Sequence, residues 1–151
     1  MNFTKLERHN IQRFIKDINQ EYKVSFQEIF EADIYEEEVF IGIRGYAGTD
    51  EGQMFVAWFE KEFGFKINTW LIALLHEIGH LETTTEELED DREERYALLK
   101  VIYEDNKMSI EELNNRYFKI PCEYAATTWA VDYYLNHKNK CENLLKELHF
   151  N

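Results

Sequence analysis

The chain has 151 residues, 44% of them apolar and 15% aromatic, which excludes disorder and suits one domain with a real core. Its formal charge of −13 argues against nucleic acid, because phosphate contacts need clustered Lys and Arg. Such a surface is soluble and, at most, prefers basic partners. Six Gly and one Pro imply few or short loops and a helix-rich fold.

Thr4 to Tyr22 reads as a helix, with Leu6, Ile11, Phe14, Ile15 and Ile18 at three- and four-residue spacing. Val24 to Phe30 is ambiguous. Glu38 to Arg44 is strand-like in Val39, Phe40, Ile41 and Ile43, and it runs into the glycine-rich stretch 45–52. A second strand-like run, Met54 to Phe59, follows, so the two are expected to form a β-hairpin with a long connection. The loop matches no phosphate-binding glycine pattern.

Trp70-Leu71-Ile72-Ala73-Leu74-Leu75 opens the most apolar helix, capped by Asn68 or Thr69, and it leads directly into His76-Glu77-Ile78-Gly79-His80. Positions i and i+4 share a helix face, so His76 and His80 can aim at one Zn²⁺, with Glu77 placed to take a proton from a water activated by the metal. Two core histidines on a buried helix are the plainer explanation. The apolar run argues against that, since buried imidazoles need partners and a metal satisfies both. The stretch is too short to span a bilayer, and residues 1–10 do not resemble a signal peptide.

Thr84 with Glu87 fits a capping box for a helix from Glu86 to Tyr103, whose Tyr96, Leu98, Leu99, Ile102 and Tyr103 form the expected buried side. The run 89–95 is its solvated acidic start. Ser109 and Glu112 suggest another box, opening a short helix to about Phe118. Pro121 starts a helix to about His137, and a last helix covers Lys140 to Leu148. Cys122 and Cys141 lack metal or redox spacing; they fit reduced thiols of a cytoplasmic protein, with Cys122 as packing.

A catalytic zinc site normally has three protein ligands. A third His six residues after His80 is absent, since position 86 is Glu. Glu82 is two residues past His80 and points away. Glu86, Glu87, Glu93 and Glu94 belong to an exposed helix start. Glu123 differs: Ala126, Thr127 and Ala130 make its helix face one of small residues, which suggests close approach to another helix and a costly carboxylate unless it is paired. Glu123 is the expected third ligand.

With these residues in place, His76-Glu77-Ile78-Gly79-His80 followed by Glu123-x-x-Ala126-Thr127-x-Trp129-Ala130 resembles the ImmA/IrrE-type metallopeptidases over residues 35 to 135 or so. The resemblance implies an α+β, minimal zincin-like domain, with His76, His80 and Glu123 as zinc ligands and Glu77 as general base. The implied activity is hydrolysis of a peptide bond in a protein or peptide substrate, such as a regulatory repressor in a mobile-element setting. An extended substrate would lie along the 54–59 strand. Three departures stand out. Thr127 occupies a position where Asn or Asp is usual, which is expected to weaken the orientation of a ligand histidine. Residues 81 to 122 form a long gap in which the 86–103 helix is the insertion. No Met-Pro segment ends the Glu123 helix. Tyr134 and His137 fall near the Glu123 face, but packing explains them. A zincin-like binding protein that holds zinc and cleaves nothing is the alternative, and a helical domain with a chance motif is the third. Neither oligomeric state nor substrate identity follows from the residues.

Overall fold

The computed structural model describes residues 3–26, 33–35, 38–41 and 50–150. The elements run α1 (Lys5–Ile18), β1 (Lys23–Phe26), β2 (Asp33–Tyr35), β3 (Glu38–Ile41), α2 (Asp50–Phe63), α3 (Thr69–Thr83), α4 (Glu86–Glu104), α5 (Ile110–Phe118), α6 (Pro121–Asn136) and α7 (Lys138–Glu147). The architecture is α+β and dominated by helices. β3 is the middle strand of three, parallel to β1 with Val24 opposite Val39 and antiparallel to β2 with Ile34 opposite Val39.

The expected hairpin is not formed. Met54 to Phe59 lies inside α2. Its aromatic run looks strand-like residue by residue, yet Gly52, Phe55, Trp58 and Phe59 are the buried positions, and that spacing belongs to a helix. Residues 42–49, and 27–30 of the ambiguous segment, lie outside the described residues. Gly64, at φ +80°, ends α2 in the left-handed conformation that only glycine adopts without strain, and its N–H donates to the Glu60 carbonyl.

α3 is the central helix, with Leu71, Ile72, Leu74, Leu75 and Ile78 fully enclosed. Asn68 caps it by accepting from the Leu71 N–H. Its most extensive partner is α6. A Cβ on Gly79 would come within 2.4 Å of the Ala126 carbonyl oxygen, so the two backbones are in direct contact there. Ala126 and Ala130 are fully buried in the same seam. Small residues allow this approach, as the face around Glu123 suggested.

Two other expectations need correction. α4 has no buried residue: Leu98 is 62% exposed, Tyr96 and Tyr103 are also exposed, and Leu99 and Ile102 are half-covered. Its apolar residues spread around too much of the helix to form one covered stripe, and it lies on the outside of α5 and α6. The cap of α4 is Thr85, which accepts from the Leu88 N–H; Thr84 instead ends α3 and faces His80. Ser109 caps α5 and Pro121 opens α6 as expected. Both cysteines are buried and free. No described helix is long and apolar enough to cross a membrane.

Candidate metal centre

His76 and His80 sit one turn apart on α3, and Glu123 occupies the first turn of α6. The close seam at Gly79 brings them together. Glu123 Oε2 is 2.6 Å from His80 Nε2 and 3.7 Å from His76 Nε2. One donor atom from each residue falls within 4.8 Å of the others, and the three form a group that could hold a metal ion. Residues 82–94 contribute nothing to it. Glu82, Glu86, Glu87, Glu93 and Glu94 are exposed.

The centre is nearly dry. His76 is 8% exposed and Glu123 4%, and Thr127 is fully buried. These are three of the four buried polar side chains among the described residues; the fourth, Glu7, belongs to the capping box that opens α1. Burial disfavours the Glu123 charge, but the two imidazoles outweigh it and hold the carboxyl well below its usual range. Burial also lowers the pKa of His76, and the neighbouring carboxylate only partly reverses this.

One tautomer of His76 satisfies all the hydrogen bonds around Thr127. The Thr127 hydroxyl donates to the Glu123 carbonyl at 3.2 Å, so its oxygen has lone pairs left for His76 Nδ1, 2.8 Å away. In that tautomer Nδ1 carries the proton and Nε2 presents its lone pair to the carboxylate. Glu123 Oε2 accepts no well-formed hydrogen bond, and its nearest polar neighbour is His80 Nε2 at 2.6 Å. Either a proton on His80 Nε2 or a cation shared by all three residues satisfies that buried oxygen. The donors present fit a metal ion on that ground.

The remaining ligand atoms are tied down from elsewhere. His80 Nδ1 lies 3.3 Å from Thr84 Oγ1 and 3.4 Å from Cys122 Sγ. Glu123 Oε1 accepts from the Tyr117 hydroxyl at 2.6 Å. Burial, followed by the adjacent carboxylate, pushes the Tyr117 phenol far above its ordinary value, so it stays a donor. Thr127 therefore orients His76, contrary to the weakening expected from its departure from Asn or Asp. Cys122 packs as expected and also touches His80. Glu77 lies partly exposed beside His76. Tyr134 and His137 take no part: the Tyr134 hydroxyl donates to Glu142, and His137 is exposed and stacks on Tyr133.

Comparison with protein-family models, curated proteins and solved structures finds no match for this chain.

Proposed function

We propose that the protein is a zinc metallopeptidase that hydrolyses a peptide bond of a protein substrate, with His76, His80 and Glu123 as ligands and Glu77 as general base. The observation that carries this reading is the buried convergence of His76, His80 and Glu123, with one donor atom from each within 4.8 Å of the others. Two imidazoles and one carboxylate are the donor set of catalytic zinc, which leaves a position for chemistry. Zn²⁺ held there would polarise a carbonyl and acidify water to near neutrality. The chain's own part follows from its residues. The Glu77 carboxylate takes the proton of the attacking water and passes it to the leaving amine. The apolar walls of α3, with Phe55 against the His76 ring at a centroid distance of 5.8 Å, keep bulk water away from the ligands. The 54–59 segment, being helical, offers no strand edge. β2 is an edge of the sheet and packs on α3, so an extended substrate is assigned there instead.

The test measures zinc content and proteolysis together. Wild type should hold one Zn²⁺ per chain, and the double variant His76→Ala, His80→Ala should hold none. Glu77→Gln should keep its zinc while losing cleavage of a repressor-rich protein pool by at least ~100-fold. Full zinc occupancy without cleavage by wild type would favour the binding module over the enzyme. Zinc retained by the double histidine variant would refute the site itself.

A further inference from the structure

Each candidate ligand is gripped at the atom that does not face the centre, and the grip on Glu123 differs from the other two. Thr127 belongs to α6, and Thr84 lies at the end of α3. Tyr117 instead comes from the last turn of α5, an element that contributes no ligand. Its ring is wedged edge-on between Tyr96 of α4, with centroids 5.2 Å apart, and Phe118 at 5.6 Å. That wedge aims the hydroxyl at Glu123 Oε1 across 2.6 Å, the length of a strong bond from a neutral O–H to a charged oxygen. The carboxylate is thereby divided. Oε1 is held by the phenol, and Oε2 faces both imidazoles.

We propose that Tyr117 is a positioning residue that holds Glu123 as a one-oxygen ligand, keeping the number of protein donor atoms at three. The inference rests on the reading of His76, His80 and Glu123 as a metal centre. A carboxylate free to rotate can turn both oxygens onto a metal, which adds a fourth protein donor and fills the position that water and substrate need. A phenol bond on Oε1 opposes that rotation. It assigns α4 and α5, the segment between the two motifs, a role in the centre: α4 braces the tyrosine and α5 carries it.

Tyr117→Phe removes the hydroxyl and keeps the ring between Tyr96 and Phe118. Its zinc affinity, read by competition with a chromophoric chelator, should fall about 10- to 100-fold. The visible spectrum of the Co²⁺-loaded variant should move from that of a four-coordinate centre toward the weaker bands of a five-coordinate one. Tyr124→Phe, which deletes a phenol bonded to Glu62 outside the centre, should change neither measurement. Circular dichroism of the metal-free proteins establishes that the variants are folded. If Tyr117→Phe does not fold, the infrared difference spectrum between zinc-loaded and metal-free wild type decides. Widely split carboxylate stretches, absent in Glu123→Gln, mean one-oxygen ligation, and narrowly split ones overturn the proposal. Unchanged affinity and an unchanged Co²⁺ spectrum in Tyr117→Phe also overturn it, while leaving the metal centre standing. A wild type that binds neither Zn²⁺ nor Co²⁺ refutes the metal centre, and the role of Tyr117 falls with it.

Discussion

Gly79→Ala tests the seam on which the site depends. The added methyl would lie 2.4 Å from the Ala126 carbonyl oxygen and 3.0 Å from both its carbonyl carbon and Cα. Comfortable non-bonded contact needs about 3.5 Å, so α3 and α6 must part by ~1 Å at this point. The obstacle is backbone in the middle of a helix and cannot rotate aside. Overpacking of this kind costs about 1–3 kcal/mol, against which alanine recovers up to ~1 kcal/mol of helix propensity over glycine. The net loss of up to about 2 kcal/mol should lower Tm of the metal-free protein by up to ~8 °C. Metal affinity should suffer more than stability. Ala126 follows Glu123 by one turn, and the same separation pulls Oε2 from a centre whose bond lengths tolerate only ~0.2 Å. The assay pairs thermal unfolding by circular dichroism with zinc competition titration. A variant that melts higher than wild type and keeps its zinc would refute the close approach of the two helices, and with it the account of how Glu123 reaches the histidines.

Thr127→Val keeps the shape of a fully buried side chain but leaves His76 Nδ1–H without an acceptor. Zinc affinity should fall about 10- to 100-fold in the same titration, and stability by about 1–3 kcal/mol in a urea melt. Burial pushes the Cys141 thiol up to about 12 and raises that of Cys122 as well. Both should therefore resist iodoacetamide at pH 7.5 until the protein is unfolded, and mass spectrometry of native and urea-treated samples checks this.

The parts legible in the sequence are those governed by spacing within one helix. His76 and His80 share a face because they are four apart, and Asn68 caps because its side chain reaches the Leu71 N–H. Glu123 was legible for a subtler reason: a carboxylate among Ala126, Thr127 and Ala130 has no cheap way to be buried alone. What failed was the assignment of faces. Phe55, Val56, Trp58 and Phe59 have strand-like side chains, and only the burial of Gly52, Phe55 and Phe59 on one side shows the helical period. Tyr96 and Leu98 were expected inside and are exposed, because α4 covers its neighbours without being covered itself. Three consecutive threonines can each cap a helix, and the shift from Thr84 to Thr85 decides which one faces His80. The grips of Thr84, Cys122 and Tyr117 come from different elements at no fixed spacing, so no motif announces them.

An ion pair is the competing account of the buried cluster, and the hydrogen bonds weigh against it. A protonated His80 could pair with Glu123 across 2.6 Å, and that contact alone would suit an imidazolium. His76 does not fit the same scheme. Its Nδ1 proton is spent on Thr127, so pairing its Nε2 with the carboxylate requires a second charge on a ring whose burial disfavours the cation. Two imidazolium rings with centroids 4.7 Å apart would also repel each other in a region from which water is excluded. A neutral His80 with its proton on Nε2 satisfies Oε2, but it leaves the Nε2 of His76, 3.7 Å from the same oxygen, without a partner. A divalent ion would engage both Nε2 lone pairs and Oε2 together, while Thr127 and Tyr117 hold the opposite atoms of His76 and Glu123. The polar atoms of the three residues converge as a set that could hold one cation, and metal binding is the outcome on which the functional proposal stands or falls.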